Sequence, residues 1–222
     1  MPTALILGAS RGIGHEFVRQ LAGSGWRVIA TARDDQALDA LRQEGAEAFK
    51  LDVTKPDSLA GLGWQLDGEK FDLAIYVAGV FGTKDGATAP PTAQDFDKVM
   101  HTNVLGAMQA IPLIAPMVEA ANGKFAFISS VMGSIAETES SYGWLYRASK
   151  AALNMAVTCA KFDYPKATFA ALHPGWVRTD MGGAGASIDV QTSVAGLLQV
   201  IGALKNSDSG TYRDYTGRQL PW

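Results

Sequence analysis

The chain has 222 residues with 19 basic and 22 acidic side chains, and this formal net charge of −3 excludes the basic surface expected for binding nucleic acid or an anionic membrane. Its length fits one α/β domain over residues 1–222, and no apolar run reaches the roughly 20 residues needed to span a bilayer. A single cysteine and a start, MPTALILGAS, without the basic lead of a signal peptide predict a cytoplasmic protein that acts on a small molecule.

Apolar runs alternate with helical patterns along the whole chain. Strands are predicted at residues 3–8, 27–32, 46–52, 72–79, 123–130 and 167–174, with a short last strand at 210–215. Helices are predicted at residues 12–23, 34–43, 57–66, 93–120, 142–163 and 189–204, and Pro112 and Pro116 should kink or shorten the fourth of these. The alternation predicts a doubly wound, Rossmann-type α/β fold, with a parallel sheet covered by helices on both faces.

The connection after the first strand is rich in glycine. It reads GASRGIG, with Gly8, Gly12 and Gly14 leading into a helix. Glycine permits a sharp turn and lets backbone N–H groups approach a pyrophosphate, which the N-terminus of the following helix attracts. The pattern predicts a nucleotide site, although a tight strand-to-helix connection without a ligand has the same composition.

The second strand ends in TARD, at the place where an NAD enzyme usually holds the ribose 2′-hydroxyl with an acid. Arg33 stands there instead, and Arg11 lies in the glycine turn, so two guanidinium groups are available for a 2′-phosphate. We therefore expect NADP (NADPH), against the alternative that both arginines are solvated surface charges. Asp34 and Asp35 weigh against NADP unless they begin the next helix, where acids are favoured.

Later segments supply further candidates. Asp52, at the end of the third strand, fits an acceptor for the adenine amino group and equally a cap for the helix near Pro56. GGAGAS at 182–187 predicts a mobile lid near residues 180–191. Cys159 lies among small and apolar residues, which predicts a buried thiol. The three histidines share no ligand spacing with one another or with the cysteine, so no metal site is expected.

The run LYRASKAALN places Tyr146 and Lys150 four residues apart, on one face of a predicted helix. An ammonium group beside a phenol favours the ionised phenol, and we expect the pKa of Tyr146 to be lowered. Such a tyrosine exchanges a proton with a carbonyl oxygen while hydride is transferred. Taken alone the pair is also compatible with two surface neighbours.

Three motifs follow one another along the chain: GASRGIG, YRASK and HPGWVRTD. In these motifs the chain resembles the short-chain dehydrogenase/reductase family, specifically its compact carbonyl-reductase-like members. The resemblance extends from residue 3 to the closing GRQLPW. It implies an NADP-dependent oxidoreductase that transfers hydride between nicotinamide and a ketone, aldehyde or secondary alcohol, assembled as a homodimer or homotetramer. A cofactor-binding signalling or regulatory protein without turnover is the alternative, and a structural dimer with a degenerate site is a third hypothesis.

The resemblance also implies roles for individual residues. Tyr146 is the implied acid/base and Lys150 its partner, which also holds the nicotinamide ribose. Ser130 is implied to orient the substrate carbonyl, and Asn103 to hold a water of the proton relay. The implied cofactor contacts are Gly8, Ser10, Arg11, Gly12, Ile13, Gly14, Arg33, Asp52, Val53, Ala78, Gly79, Asn103, Tyr146, Lys150, Pro174, Gly175, Val177 and Thr179.

Two features depart from the family pattern. Residues 76–79 read Tyr-Val-Ala-Gly where the family has Asn-Asn-Ala-Gly, so an amide that braces the neighbouring strand is missing. Tyr146 follows Ser130 by 16 positions, more than the usual dozen, and Ser134 competes on spacing. We favour Ser130 because a strand end positions a side chain more firmly than a loop does. Aromatic and apolar residues expected near the nicotinamide indicate an apolar or aromatic carbonyl substrate: Phe81, Met132, Tyr142, Trp144 and Trp176.

Overall fold

The centre of the molecule is a seven-stranded parallel sheet, in a computed structural model that describes residues 1–222. The strands run in the order β3-β2-β1-β4-β5-β6-β7, and every neighbouring pair is parallel. The predicted doubly wound fold is therefore confirmed. Most strands end earlier than the apolar runs predicted. The strands are β1 (Thr3–Leu7), β2 (Arg27–Ala32), β3 (Glu47–Lys50), β4 (Leu73–Tyr76), β5 (Lys124–Ile128), β6 (Thr168–His173) and β7 (Thr211–Asp214).

Helices cover both faces of the sheet, and none is both long and apolar enough to cross a membrane. Alternate residues of β1 pack in two separate apolar clusters, one on each face of the sheet, because successive side chains of a strand point to opposite faces. Leu5 and Leu7 pack in one apolar cluster with α3, α5 and α6, and Ile6 packs in the other with α1, α2 and α7. The helices are α1 (Gly12–Gly23), α2 (Asp35–Gln43), α3 (Pro56–Gln65), α4 (Ala93–Met100), α5 (Gly106–Glu119), α6 (Trp144–Asp163) and α7 (Val190–Ala203).

The helix predicted over residues 93–120 is interrupted by a π turn at His101–Leu105. The N–H of Gly106 bonds to the carbonyl of His101, five residues back, which widens the backbone at this point. Pro112 and Pro116 lie inside α5, which continues to Glu119, so they do not shorten the helix. The irregularity occurs instead at Asn103, whose side chain is fully buried.

Cys159 is exposed on α6, so the predicted buried thiol is wrong. The face of α6 that packs on the sheet in this region carries Leu153, Val157 and Ala160. Cys159 falls outside that stripe. Small residues around a cysteine therefore did not identify the buried face of the helix.

Strand β1 lies between β2 and β4, so the chain leaves the centre of the sheet in two directions. The helices after β1 and β4 accordingly cover opposite faces, and a crevice opens at the carboxyl ends of these strands. Ligands of doubly wound sheets bind at this switch point. The fold thereby places the glycine turn, which follows β1, at the floor of the crevice.

Candidate active site

The crevice is a cleft of about 350 Å³, within the range of small-molecule sites. It brings the glycine turn, the end of β2 and the Tyr146–Lys150 pair to one continuous surface. Most of the cofactor-binding residues predicted from the sequence line it. They are Gly8, Ser10, Arg11, Gly12, Ile13, Arg33, Asp52, Val53, Ala78, Gly79, Tyr146, Lys150, Pro174 and Thr179.

The glycine turn depends on the absence of side chains at two positions. Gly8 has φ +96°, and a Cβ there would lie 2.8 Å from the backbone nitrogen of Ala78. A Cβ on Gly14 would lie 2.2 Å from the carbonyl oxygen of Gly8. Thr31 holds the turn from β2, because its Oγ1 accepts from the N–H of Gly8 at 3.1 Å. No side chain caps the first turn of α1, so its N–H groups remain available and the cradle fits a pyrophosphate.

Arg33 borders the cleft and forms no ion pair with any carboxylate of the chain. The two acids that follow it are engaged elsewhere. Asp34 caps α2 by accepting from the N–H of Ala37 at 2.9 Å, and Asp35 pairs with Lys50 at 2.9 Å. The acids therefore begin the next helix, and Arg33 is left free for an anionic group.

Arg11 reaches across the mouth of the cleft to Asp180, with its Nη1 2.8 Å from Oδ2. Both side chains are about three-quarters exposed, so this ion pair contributes little to stability. Asp180 lies in the segment predicted as a lid. The pair connects the glycine turn to that segment, and no sequence pattern indicates it because 169 positions separate the two residues.

Asp52 does not cap α3, which begins with Lys55 at its N-cap and has no side-chain cap. Its Oδ1 accepts instead from the backbone and hydroxyl groups of Thr54, at 3.0 and 2.7 Å. Oδ2 has no hydrogen-bond partner in the chain. One carboxylate oxygen at the edge of the cleft is thus free to accept from a ligand.

Tyr146 and Lys150 are buried at the other end of the cleft, with 7% and 3% of their surfaces exposed. The Nζ of Lys150 donates to the carbonyl of Ile128 at 2.8 Å and lies 5.5 Å from the centre of the Tyr146 ring. Burial raises the pKa of Tyr146 to about 12, partly opposed by a hydrogen bond with the Ser130 side chain. Burial also lowers the pKa of Lys150 to about 8.

The expectation that Lys150 makes the Tyr146 phenol acidic is therefore wrong for the free protein. Desolvation penalises both charged forms, and for both side chains it is the largest effect. Near neutral pH the phenol is protonated and most of the ammonium is charged. This is the state in which Tyr146 can give a proton rather than take one.

The Asn103 side chain holds the backbone of Val80 in place next to Tyr146 and Lys150. Its Oδ1 accepts from the N–H of Val80 at 2.8 Å, and its Nδ2 donates to the carbonyl of Val80 and to Ser149 Oγ, each at 2.9 Å. Both amide protons are used within the chain, so only the oxygen atoms of Asn103 remain to contact the water that the resemblance implies. Asn103 fixes the segment after β4, where Gly79 faces the Nζ of Lys150.

Ser130 and Ser134 have separate surroundings. The Ser130 side chain lies close enough to the Tyr146 hydroxyl to oppose the rise of its pKa, and the Ser130 Oγ accepts from the N–H of Met132 at 3.2 Å. Ser134 is 1% exposed, and its Oγ donates to the carbonyl of Pro221 at 2.7 Å. The position facing Tyr146 is thus that of Ser130, and the unusual spacing reflects a longer loop before α6.

Tyr76 takes over the bracing function of the missing amide. Its ring is buried in the core, and its hydroxyl donates to the carbonyl of Thr102 in the π turn at 2.8 Å. Gly106 makes room for it, because a Cβ there would lie 2.6 Å from the Tyr76 hydroxyl oxygen. The end of β4 is thereby tied to the turn that carries Asn103.

Aromatic and apolar side chains surround Tyr146 on its outer side. The Phe81 ring stacks on the Tyr146 ring with centroids 4.6 Å apart, and Tyr142 lies 5.9 Å from Phe81. Met132 and Phe81 also meet at Gly143, where a Cβ would contact both side chains. Trp176, by contrast, is 57% exposed and donates to the carbonyl of Gly182, so it packs on the predicted lid.

Several predicted residues stand behind the cleft rather than in it. Val177 is buried and pairs with Ile188 in an isolated bridge, while a Cβ on Gly175 would lie 2.1 Å from Ile188 Cδ1. With the buried Gly14 and Asn103 they support the lining, whereas Ser130 is half-buried and lies beside Tyr146. Sequence reasoning missed a set of lining residues that follow the strand ends or belong to the segment after β6: Thr31, Thr54, Val77, Val80, Thr102, Ser129, Arg178, Asp180 and Met181.

The buried Lys150 makes stability depend on pH in a testable way. Between its folded pKa of about 8 and its ordinary value of 10.5, the unfolded chain binds the proton that the folded protein releases. The free energy of unfolding therefore increases as the pH rises through this window. We expect the stability of the wild type relative to Lys150→Met, measured by urea unfolding, to increase from pH 8 to pH 10. A difference that stays constant over this range contradicts the placement of a neutral amine in the core.

Comparisons with known proteins extend these observations. A family model described as short chain dehydrogenase matches residues 2–187. The chain is 31% identical to 1-hydroxy-2-glutathionyl-2-methyl-3-butene dehydrogenase of Rhodococcus sp. (strain AD45), over 100% of both proteins. It is 39% identical to C-signal of Myxococcus xanthus over 131 residues, which are 58% of this chain and 79% of that protein. NADPH-bound carbonyl reductase from chicken fatty liver matches with a TM-score of 0.89 and 32% identity, covering 100% of this chain and 99% of that one.

Proposed function

The chain belongs to the short-chain dehydrogenase/reductase family, whose members are oxidoreductases that use NAD(P), and from this premise we propose that it is an NADPH-dependent carbonyl reductase. The observation that carries the proposal is the arrangement of one cleft. A protonated Tyr146, with the Ser130 side chain beside it, lies at one end, and an Arg33 without an ion-pair partner lies at the other. The likeness to NADPH-bound carbonyl reductase supports the same assignment.

When bound, NADPH would supply the hydride that reduces the carbonyl carbon. Tyr146 gives its proton to the carbonyl oxygen, so that the products are an alcohol and NADP⁺. Ser130 donates a hydrogen bond to the same oxygen and holds it toward Tyr146. The charged Lys150 favours the phenolate that remains, because its Nζ lies 5.5 Å from the ring centre. With its pKa raised to about 12, the phenol holds its proton at neutral pH and is in the form that carbonyl reduction requires.

Residues along the cleft suit the parts of NADPH. The uncapped start of α1, beyond Gly12, accommodates the pyrophosphate, and Arg33 with Arg11 binds the 2′-phosphate. Asp52 accepts from the adenine amino group through its free Oδ2. Near the nicotinamide we assign Pro174 and Thr179 to the carboxamide. The remaining proposed contacts are Ser10, Ile13, Val53, Ala78 and Gly79.

The substrate we propose is an aromatic or apolar carbonyl compound. Phe81, stacked on Tyr146, and Tyr142 beside it form a wall on which a flat apolar group packs. We expect Phe81→Ala to raise the KM for an aromatic ketone about tenfold, since an aromatic contact and its buried area are lost. The KM for a short aliphatic aldehyde should change less than about twofold.

Steady-state kinetics with both substrates measures this selectivity. Phe96→Ala is the matched control, because Phe96 lies on α4, is 46% exposed and does not border the cleft. Equal changes in KM for the aromatic ketone and the aliphatic aldehyde contradict an aromatic binding wall at Phe81.

The likeness to C-signal favours a second candidate function, a cofactor-binding signalling or regulatory protein without significant turnover. Both candidates predict binding of NADPH, and only the first predicts its oxidation. Calorimetry with NADPH, followed by an assay of the same sample with a carbonyl panel, separates them. Binding without oxidation by any member of the panel favours the signalling candidate.

Further parts of the proposal concern the molecule as a whole. We propose a single domain over residues 1–222, a cytoplasmic location, and a lid near 180–191 that Asp180 links to Arg11. A homodimer or homotetramer is supported by apolar side chains exposed on neighbouring helices. These are Leu105, Met108, Met155 and Phe162, with 41% to 75% of their surfaces exposed.

A further inference from the structure

The last residues of the chain fold back along β7. Asp214 forms the turn, because its Oδ1 accepts from the N–H and hydroxyl of Thr216, at 2.9 and 2.7 Å, and from the N–H of Arg218 at 3.1 Å. The N–H of Leu220 then donates to the carbonyl of Tyr212 at 2.8 Å, and the Leu220 side chain is buried. Residues 219–222, named here the C-terminal strap, are thereby fixed against the sheet.

The strap contacts the loop that carries Ser130. This serine loop, residues 129–136, leaves the end of β5 through a 3₁₀ turn at Val131–Gly133. Ser134 Oγ donates to the carbonyl of Pro221 at 2.7 Å. The N–H groups of Ile135 and Ala136 both donate to the carbonyl of Trp222. Three bonds thus join the far end of the loop to two residues of the strap.

Tyr212 holds the near end of the loop. The last sheet bond of this segment runs from the N–H of Ser129 to the carbonyl of Leu172, so the carbonyl of Ser130 has no partner strand. The Tyr212 hydroxyl donates to that carbonyl. The Trp222 ring stacks on the Tyr212 ring, with centroids 5.1 Å apart and planes 17° from parallel. Tyr212 is 1% exposed and is therefore itself firmly packed.

The serine loop is also joined to the helix that carries Tyr146. Asn154 of α6 accepts from Ser129 Oγ at 2.6 Å, and its Nδ2 donates to the carbonyl of Gly133 at 3.4 Å. The loop is thus supported from α6, from β7 and from the strap. None of the strap residues borders the cleft.

We propose that Tyr212 and the C-terminal strap are positioning elements that hold Ser130 at the place where its hydroxyl meets the substrate carbonyl. This inference rests on the proposed carbonyl reduction. A donor must be fixed to within a fraction of an ångström to act on a developing negative charge, and a loop beyond the end of a strand needs such supports. Cofactor binding, which uses the glycine turn and Arg33, does not depend on them.

Tyr212→Phe tests the proposal with the least disturbance, because it removes one hydroxyl and keeps the ring. We expect kcat for carbonyl reduction to fall about tenfold while the dissociation constant for NADPH stays within about twofold. Trp222→Ala, which removes the stacked ring at a position 45% exposed, should lower kcat in the same way. Tyr164→Phe and Trp64→Ala are the controls, since neither residue borders the cleft or contacts the serine loop.

Hydrogen exchange gives a second measurement that needs no turnover. In both variants the amides of the serine loop should exchange about tenfold faster than in the wild type, while those of β1 keep their protection. Unchanged loop exchange in both variants overturns the proposal. So does a loosened loop with unchanged kcat. If the wild type reduces no carbonyl, the proposed function fails, and the exchange rates still decide whether the strap holds the loop.

Discussion

Replacing Tyr146 with phenylalanine is expected to lower kcat for carbonyl reduction by about 10³-fold or more, while NADPH affinity changes by less than about threefold. The variant removes only the phenolic hydroxyl. The ring remains buried and keeps its stacking on Phe81, with centroids 4.6 Å apart. Because the hydroxyl is the proposed source of the proton, its loss removes the acid and leaves the cleft intact.

Steady-state kinetics and calorimetry on the same preparations measure the two quantities. Tyr164→Phe is the matched control, because this tyrosine lies at the end of α6 against Phe169 and does not border the cleft. It should retain the kcat of the wild type. Equal turnover by Tyr146→Phe and the wild type, on every carbonyl that is reduced, would show that another group supplies the proton.

Replacing Arg33 with aspartate is expected to weaken NADPH binding about 100-fold and to leave NADH binding unchanged or stronger. Arg33 has no acidic partner in the free protein, so its whole hydrogen-bonding capacity is available to the 2′-phosphate. An aspartate at this position repels that phosphate and accepts from a ribose 2′-hydroxyl. The substitution therefore reverses the cofactor preference.

Calorimetric titration with each cofactor tests this reversal. Arg42→Asp serves as the control, since Arg42 lies on α2, pairs with Asp39 and does not border the cleft. A loss of affinity that is the same for NADPH and NADH would place Arg33 outside the phosphate site. An unchanged affinity for NADPH would have the same meaning.

The features that the sequence predicted best are local ones. The glycine turn, the arginine at the end of β2 and the helical spacing of Tyr146 and Lys150 each lie within a few residues. Their geometry follows from one strand end or one helix face. The alternation of apolar runs and helical patterns was sufficient to predict the order of strands and helices, and the family motifs located the cleft.

Features that depend on distant residues were not predicted. The hydroxyl of Tyr212 meets the carbonyl of Ser130 across 82 positions, and no pattern in either segment indicates the contact. The bond between Tyr76 and Thr102 arises because the π turn brings a carbonyl to a buried strand end. The sequence predicts the wrong protonation state for Tyr146, because spacing along a helix shows a neighbouring charge but not the burial that outweighs it.

The exposure of Cys159 also depends on tertiary packing and could not be predicted from its neighbours along the chain. Its neighbours along the chain are small or apolar, yet the buried stripe of α6 is set by the sheet against which the helix packs. The partners of Asn103 were likewise set by tertiary structure, because its amide meets the backbone of Val80 only when β4 and the π turn lie side by side.

The most direct test of the account is to mix the purified protein with NADPH and a panel of aromatic and aliphatic carbonyl compounds, and to follow both the reduced nicotinamide absorbance and the alcohol by mass spectrometry. We predict one alcohol formed for each NADPH oxidised, with aromatic carbonyls preferred. A protein that binds NADPH tightly but oxidises none of it with any member of the panel would contradict the proposed transfer of a proton from Tyr146.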